Sequence, residues 1–408
     1  MKDNKILIGT ALVLLLLLTT GLSYAYFSTS VKGNDNAKDM VVEAGTLKLT
    51  YTDGPAINVQ NIKPGWSTTK EVTVKNNGTL DTNYNIIWQS LINEITNDEL
   101  VLSATCQRLN STGTVEGTCN AISQAPISDT TIARKISIES GITHKYTFTI
   151  LFKETNANQN YNQGKKFSGV LGIEEYKAPD FATDSWATII ANVKAGNGSE
   201  YAIGSTKEVD LGTYGTHTLR IANTSTPSEC STVGFSQTAC GFVIEFADII
   251  TRHIMAGSDE NTSKGGWPAS SMYTFVNNDI YNAIPSEIKN AIIDTTVVSG
   301  HGGEDRENFT STDKLYLLAP KEIYTNWSSS YDTAKDLTRT LDYYTNIGVT
   351  TSNKSGAIKK TETITNGWWL RVPESSLYGL FYLISNDGSI YSIESSGGRG
   401  VSPAFRLG

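Results

Sequence analysis

Basic residues are scarce in this chain, and their scarcity limits what it can bind. Its 408 residues include 33 Lys and Arg against 41 Asp and Glu, which gives a formal net charge of -8 at pH 7. Nowhere do the positive charges gather into a stripe of the kind that displaces counterions from the phosphates of nucleic acids. We therefore expect an acidic surface and no nucleic-acid partner.

Histidine is also scarce, which narrows the chemistry. The four histidines are His144, His217, His253 and His301. No two of them stand one helical turn apart, the spacing from which zinc peptidases usually take two of their ligands. The sequence also has no Gly-x-Ser-x-Gly turn that would expose a nucleophilic serine. The sequence therefore predicts no catalytic residue, no bound metal and no cofactor; a secreted hydrolase or peptidase with an unrecognised site is the alternative.

Cysteine occurs only four times, in two closely spaced pairs. Cys106 and Cys119 flank a stretch rich in Gly, Ser and Thr, and so do Cys230 and Cys240. Neither pair has the Cys-x-x-Cys spacing or the neighbouring histidine that a zinc site would favour. We predict two local disulfides, each stabilising the fold by about 3 kcal/mol in an oxidising compartment. Free buried thiols are the alternative.

Long apolar runs are absent except near the start of the chain. Residues 6–22 are uncharged and rich in leucine, Lys2 and Lys5 precede them, and Ser23 and Ala25 form a small-residue cleavage pattern. This order is typical of a secretory signal peptide. We predict a signal peptide over residues 1–25, its removal by a signal peptidase during export, and a secreted chain that begins at Tyr26. An uncleaved membrane anchor is the alternative, since a run of this length is near the short limit for a membrane span.

Apolar and polar residues alternate in short segments between residues 26 and 177. Examples are 145–152 (KYTFTILF) and 70–75 (KEVTVK), and turn residues such as Asn77 and Gly78 separate the segments. Alternation with a period of two predicts strands that bury one face. We therefore predict an antiparallel β-sandwich over residues 26–177, in which residues 91–102 are the one candidate helix.

Three motifs near the start of this region point to a known family. They are the segments 44–47 (AGTL), 58–65 (NVQNIKPG) and 72–80 (VTVKNNGTL). Together with the end of the signal peptide, they resemble the TasA and camelysin family of biofilm-matrix proteins. The resemblance implies a jelly-roll-like sandwich, and it implies self-assembly or matrix components as partners. It also raises a peptidase hypothesis, which the spacing of the histidines does not support.

In fibre-forming members of that family, the N-terminal segment freed by signal cleavage adds as a strand to the next subunit. An exposed sheet edge can satisfy the backbone donors and acceptors of such a segment. The alternative is that the segment stays flexible or closes its own sheet. The strand-donor candidates in this chain are Tyr26, Phe27, Ser28, Thr29, Ser30 and Val31.

The pattern of apolar and polar residues changes after residue 177. Pro179 and the polar residues around it predict a linker over residues 178–185, and the second domain then covers residues 186–408. Strand patterns (207–211 and 217–221) alternate there with helical ones (270–283, 286–293 and 336–344) without regular βαβ units. That mixture predicts an α+β fold.

The end of the chain carries a second resemblance. The segments 368–371 (WWLR), 380–391 (LFYLISNDGSIY) and 400–407 (GVSPAFRL) resemble an uncharacterised surface domain of Firmicutes. That domain is distantly similar to the C-type-lectin-like fold, which formylglycine-generating enzymes share. Those enzymes need a redox pair of cysteines near the end of the domain, whereas no cysteine follows Cys240. The resemblance therefore implies a lectin-like fold without that reaction.

Ligand binding by the second domain is the best site hypothesis. Adjacent strand residues point to opposite faces, so of Trp368 and Trp369 one can enter the core while the other reaches a cleft. Residues 386–388 (NDG) predict a hairpin turn, and a Gly- and Ser-rich loop precedes an arginine. A structural role for the tryptophan and arginines, or a calcium site at the turn or in residues 302–308, is the alternative. The candidate ligand-binding residues are Trp369, Arg371, Asn386, Asp387 and Arg399.

These observations predict a secreted cell-surface or extracellular-matrix protein that works by assembly or adhesion and not by catalysis. In the first alternative, the sandwich merely positions the second domain as a receptor for a glycan or a host-surface ligand. A secreted hydrolase or peptidase is the second alternative.

Overall fold

The chain divides into two compact units, Met1–Lys177 and Ala178–Gly408. The computed structural model describes residues 31–32, 40–44, 47–54, 62–128, 131–257, 261–328, 337–361 and 367–408. The predicted signal peptide (residues 1–25) and the strand-donor candidates Tyr26 to Ser30 lie outside the described residues. No helix within the described ranges is both long enough and apolar enough to cross a membrane.

The described residues of the first unit form strands and one short 3-10 helix at Asn160–Asn162. The strands are β1 (Val31–Lys32), β2 (Met40–Ala44), β3 (Leu47–Thr52), β4 (Ser67–Asn76), β5 (Thr82–Asn93), β6 (Leu100–Leu109), β7 (Val115–Thr118), β8 (Ile122–Pro126), β9 (Thr131–Ile138), β10 (Thr143–Phe152) and β11 (Phe167–Glu175).

The strands described in this unit form two antiparallel sheets. One has the strand order β1-β11-β5-β9, and the other has the order β2-β3-β4-β10-β6-β7, with β8 also pairing with β6. Both sheets contribute to one apolar core; for example, Tyr84 of β5 and Tyr146 of β10 are fully buried, and their hydroxyl oxygens lie 3.0 Å apart. The predicted mainly β character of this half of the chain is confirmed.

The strand β10 shows why the sequence pattern succeeds here. Buried and partly exposed residues alternate along all of it, and Tyr146, Phe148 and Ile150 face the core. The candidate helix at residues 91–102 was wrong. Residues on either side of a turn there belong to β5 and β6, because Leu100 and Leu102 pack into the sandwich core from a strand.

At one edge of the first sheet, β1 pairs with β11 of the same chain. Val31 lies opposite Ile173 and Lys32 lies opposite Gly172. Val31, predicted as part of a donor strand, therefore pairs within its own chain in this structure. Within the described residues, the pairing covers two residues of the nine-residue strand β11.

The second unit mixes strands with short helices. Its strands are β12 (Thr206–Asp210), β13 (Thr216–Asn223), β14 (Val243–Phe246), β15 (Thr251–His253), β16 (Thr295–Ser299), β17 (Phe309–Asp313), β18 (Trp368–Pro373), β19 (Leu380–Ile384), β20 (Ile390–Glu394), β21 (Arg399–Val401) and β22 (Ala404–Arg406). Its α-helices are α1 (Trp186–Lys194), α2 (Gly266–Ala269), α3 (Ser271–Phe275), α4 (Tyr281–Ala283), α5 (Ser286–Lys289), α6 (Pro320–Ile323) and α7 (Asp342–Asn346). A π-helix spans Val276–Ile280, and 3-10 helices span Gly198–Glu200, Gly212–Tyr214, Ser228–Ser231, Gln237–Ala239 and Ser355–Ala357.

The strands described in this unit form three sheets. Their orders are β12-β13-β14-β22, β15-β21-β18-β19-β20 and β16-β17. The pairs are antiparallel except where β18 meets β21. Helix starts follow their capping residues: Ser185 accepts a hydrogen bond from the Thr188 amide, and Ser270 accepts one from the Tyr273 amide.

The segment predicted as a linker, residues 178–185, belongs to the fold of the second unit. Phe181 is buried, and its ring meets the rings of Trp186 and Tyr201 edge to face, with centroids 5.6 and 6.3 Å apart. Burial of a large aromatic side chain is typical of a packed core, whereas the residues of a flexible linker stay exposed to solvent. The start of the second core therefore precedes α1.

Candidate functional site

The predicted hairpin at the end of the chain is present. β19 and β20 pair in register around the turn 386–388, with Ile384 opposite Ile390. Gly388 has φ +80, and a Cβ atom there would lie 2.1 Å from the Lys354 carbonyl oxygen, so this position requires glycine. The turn is therefore fixed both by its backbone conformation and by contact with a neighbouring segment.

The turn residues Asn386 and Asp387 are exposed, but the carboxylate of Asp387 is already engaged. It accepts hydrogen bonds from Lys354 Nζ at 2.7 Å and from Ser385 and Ser389. The hydrogen bond from Lys354 lowers the pKa of Asp387 well below its usual value. One carboxylate paired with an ammonium group is a poor start for a calcium site, which needs six to eight oxygen ligands.

Trp369 does not reach a cleft, which corrects the prediction for it. Both Trp368 and Trp369 are fully buried in β18, and the Trp369 Nε1 donates to the His253 carbonyl at 3.0 Å. The strand lies inside its sheet, between β21 and β19, and every residue of it is buried. Adjacent side chains of β18 still point to opposite faces of the sheet, but both faces are buried, so neither tryptophan faces solvent.

Arg371 is likewise an interior residue and not a ligand-binding one. It is fully buried, and its two terminal nitrogens donate to the Glu322 carboxylate at 2.6 and 2.7 Å. The Leu317 carbonyl accepts a further hydrogen bond from it at 2.9 Å. Such a bidentate pair holds the guanidinium group in the core.

A second buried acid belongs to the same unit. Asp313 at the end of β17 accepts a hydrogen bond from Trp267 Nε1 at 2.8 Å. Burial raises the pKa of Asp313 to about 6. Its surroundings are packed core, so we assign it a structural role.

Arg399 is the one predicted ligand residue that the structure places beside a second cation. It begins β21, and its Nη1 donates to the Gly398 carbonyl at 2.9 Å. Arg252 of the neighbouring strand β15 donates to the same carbonyl oxygen through Nη2, at 2.8 Å. We call Arg252 and Arg399 the arginine pair. No pattern in the sequence indicates Arg252, because nothing in it shows that β15 lies against β21.

The surroundings of the arginine pair are polar. Asn261 accepts a hydrogen bond from the Ser396 amide at 3.3 Å, and the Ser395 hydroxyl accepts one from the Thr262 amide at 3.2 Å. Asn261 also packs closely against Gly379, next to Tyr378, whose side chain is 72% exposed. The loop that precedes Arg399 thus contacts residues 261 and 262, and Asn261 in turn contacts the segment that carries the exposed Tyr378.

The carboxylates of the loop 302–308, considered above as a calcium site, serve the fold. Glu304 accepts hydrogen bonds from the hydroxyl groups of Ser263 and Thr262, and Asp305 accepts one from the Gly265 amide at 2.8 Å. These bonds secure residues 262–265 before α2. They leave no gathered set of free oxygens in this loop.

Both predicted disulfides are present. Cys106 pairs with Cys119 and Cys230 pairs with Cys240, with Cα atoms 5.0 and 6.0 Å apart. His144 lies near the first pair, and these three residues are the one group of potential metal ligands that converges within the described ranges. A disulfide sulfur is not a thiolate, and the thiolate is what binds metal, so this group does not fit a metal site.

The histidines have structural contacts. His144 is buried with Nδ1 at 2.9 Å from the Tyr84 hydroxyl, and burial lowers its pKa to about 4. His217 lies 3.0 Å from Asp248 and 2.9 Å from the Tyr214 carbonyl. The His253 ring stacks on Phe275 with centroids 4.2 Å apart.

A pocket of about 440 Å³ opens in the first unit, beside the turn between β5 and β6. Asn97 and Asp98 both have positive φ there, which shapes the turn. The neighbouring Glu99 accepts hydrogen bonds from Gln159 at 2.8 Å and Asn162 at 2.7 Å, so its carboxylate is already satisfied. The pocket is lined by Leu91, Asn93, Ile95, Thr96, Asn97, Asp98, Leu100, Ile127 and Ser128.

Two family models match separate parts of the chain. Residues 3–98 match the model described as camelysin metallo-endopeptidase. Residues 247–408 match a domain of unknown function (DUF6273), and the arginine pair lies within that segment. Each match covers less than half of the chain. No curated protein matches it.

One solved structure with partial similarity is a family 123 glycoside hydrolase from Clostridium perfringens, described for glycolipid glycan hydrolysis. The two chains are 14% identical over the aligned part, which covers 36% of this chain and 32% of the enzyme, with a TM-score of 0.16. The chain thus spans about a third of that enzyme, and the similarity supports no inference about fold or activity.

The name of the first family implies a metal, and the residues of the matched segment bear on it. Residues 3–98 contain no histidine and no cysteine. Peptidase zinc sites take imidazole ligands as a rule. The matched segment of this chain therefore does not fit such a centre, and we derive no peptidase step for it.

Proposed function

We propose that the protein is a secreted, non-catalytic protein of the cell surface or extracellular matrix, which acts by assembly and adhesion. In this proposal the first unit is a TasA-like jelly-roll sandwich that assembles, and the second is a C-type-lectin-like unit that presents a binding surface. The match of residues 3–98 to the camelysin family supports the first part. The apolar run at residues 6–22 supports export.

The disulfides add support for a location outside the cytosol. Each unit closes one local disulfide, and such bonds persist in oxidising compartments. Cytosolic proteins rarely keep structural disulfides, because glutathione and thioredoxin reduce them.

The observation that carries the assembly proposal is the edge of the sheet at β11. Among the described residues, Gly172 and Ile173 of this nine-residue strand pair with β1, and no other described strand covers that side. Unpaired edge backbone is a template for another strand. In this proposal the segment containing Val31 leaves its own sheet and completes the edge of the next copy.

A covalent lock across β1 and β11 tests this exchange. Lys32 and Gly172 lie directly opposite each other, so the double variant Lys32→Cys/Gly172→Cys should form a disulfide that ties β1 to its own sheet. Purified protein that begins at Tyr26 should form fibres that grow faster at higher protein concentration. Light scattering and electron microscopy follow this growth. The locked variant should stay monomeric.

The two single variants, Lys32→Cys and Gly172→Cys, are the matched controls and should elongate like the parent chain. Mass spectrometry establishes that the lock has formed. Elongation of the locked variant at the parent rate would exclude strand exchange at β11, and a parent chain that stays monomeric at all concentrations would exclude assembly itself.

A second candidate function is a receptor role for the second unit, directed at a glycan or a host-surface ligand. The arginine pair, with the exposed Tyr378 and the polar loops near it, favours this candidate. The two roles are compatible, because one is assigned to each unit.

A further inference from the structure

We propose that the arginine pair binds the anionic group of an acidic saccharide, a sugar carboxylate or sulfate. This inference rests on the proposed role of the second unit as a binding surface, and it names the chemical class of the ligand. Neither matched family description assigns a ligand to this part of the chain.

The first argument is the convergence of two like charges. Arg252 Nη2 and Arg399 Nη1 share the carbonyl oxygen of Gly398, at 2.8 and 2.9 Å, so the two guanidinium groups meet at one acceptor atom. Across the residues the structure describes, neither arginine has a carboxylate within ion-pair distance, whereas Arg108, Arg220, Arg339 and Arg371 each have one. An oxyanion would relieve the repulsion, and planar guanidinium groups bind carboxylate and sulfate-like groups through paired hydrogen bonds.

The second argument is access. Arg252 is exposed and Arg399 is partly exposed, on an outer strand of the sheet and its neighbour. A Cβ atom added at Gly398 would meet nothing within 4 Å, which shows open space beside the shared carbonyl. Arg252 lies opposite Gly400 and Arg399 lies opposite His253, so the two side chains leave the strands on opposite faces and converge at the Gly398 carbonyl, just before β21. A ligand at that position could contact both guanidinium groups without moving the core.

The third argument selects a saccharide among anionic ligands. The whole chain has a net charge of -8, which opposes polyanions such as nucleic acids and anionic membranes that require an extended basic surface. One small cationic site in an acidic protein suits a ligand with isolated charges on an otherwise polar, neutral framework. Next to the site, contacts run from Ser396 through Asn261 to Gly379, which adjoins the exposed Tyr378. An aromatic ring can pack against a sugar ring while amides and hydroxyl groups bind its hydroxyl groups.

Binding to immobilised oligosaccharides tests the inference. The purified chain should bind sialyllactose, which carries a single carboxylate, or sulfated lactose, which carries a single sulfate, more tightly than neutral lactose. The acidic sugar that binds more tightly identifies the group. The double variant Arg252→Ala/Arg399→Ala should weaken this binding at least about tenfold, since two charge-assisted contacts are lost.

The matched control is Arg306→Ala/Lys360→Ala. It removes the same amount of positive charge from exposed positions of the same unit, and it should leave the affinity within about twofold. Arg252→Lys/Arg399→Lys keeps the charge without the planar fork and should be intermediate. Circular dichroism of each variant reports whether the fold is intact.

Three outcomes would overturn the inference: no preference for the acidic sugars, equal weakening in the control and the arginine double variant, or equally tight arginine-dependent binding of single-stranded poly-dT. Binding is measured with the parent chain and with the locked Lys32→Cys/Gly172→Cys variant. Loss of saccharide binding in both would reject this inference alone, and elongation of the locked variant would reject only strand exchange.

Discussion

Arg371 and Arg399 belong to the same unit but have opposite environments. Arg371 is fully buried and donates to both oxygens of Glu322, whereas Arg399 is partly exposed at the start of β21, beside Arg252. A buried guanidinium group must have a counterion, because desolvation of an unpaired charge costs several kcal/mol. A partly exposed arginine needs no counterion within the protein, so its donors are available to a ligand. The same side chain is thus structural in one place and a candidate contact in the other.

The pair Glu322 and Arg371 yields a stability prediction. Glu322→Ala would leave Arg371 buried without its carboxylate, so we expect the free energy of unfolding of the second unit to fall by about 3–5 kcal/mol. Urea denaturation followed by tryptophan fluorescence measures this change. The exposed Glu307→Ala is the control and should change stability by less than about 0.5 kcal/mol.

The double variant Glu322→Leu/Arg371→Met distinguishes a desolvated charge from lost packing. It removes both charges at once, and we expect it to be more stable than Glu322→Ala. Equal losses in the single and the double variant would contradict the account given for Arg371.

At the level of elements, the loop closed by Cys230 and Cys240 connects to the same ion pair. Thr238 lies within this loop and donates a hydrogen bond to Glu322, and its carbonyl accepts one from the Tyr316 hydroxyl at 2.8 Å. The disulfide therefore holds in place a loop that supplies a partner to a buried charge.

This connection predicts unequal effects of the two disulfides. Replacing Cys230 and Cys240 by serine should destabilise the second unit by about 2–4 kcal/mol or more. Replacing Cys106 and Cys119 should affect only the first unit, and less strongly, because Cys119 is partly exposed and Arg108 of its loop pairs with the exposed carboxylates of Glu116 and Glu139. Thermal unfolding of each serine variant measures the effects. A larger loss for the first disulfide would show that the loop around Thr238 does not support the core.

Elements also differ in how well their sequences predict them. The strand β10 alternates along its whole length because one face meets the core, and the hairpin turn 386–388 follows from its Asn-Asp-Gly sequence. The strand β18 is buried on both faces, so its alternation carries no information about solvent. The short helices near residues 270–283 and 286–293 were predicted in place, although with different ends.

For the whole molecule, each unit has its own apolar core. The first core contains Tyr84, Tyr146 and Phe148, and the second contains Trp267, Trp368 and Trp369. A separate core is the physical requirement for a domain that folds alone.

We therefore expect fragments 26–177 and 178–408 to fold independently, each with one cooperative transition in calorimetry. A fragment 186–408 should be less stable than 178–408 by about 3 kcal/mol or more, because it lacks Phe181 and its contacts with Trp186 and Tyr201. Equal stability of these two fragments would show that residues 178–185 are a linker and not part of the second core. An unfolded 26–177 fragment would show that the first unit does not fold independently.

The sequence alone determined the properties that depend on near neighbours along the chain. Alternation set the strands of the first unit, short spacing paired the cysteines, and turn residues placed the last hairpin. Only the tertiary structure decided which polar residues are buried and which strands are neighbours. It placed Trp369 and Arg371 in the core, and it brought Arg252 of β15 against Arg399 of β21. Desolvation and contacts between distant strands act through space, so no local pattern in the sequence records them.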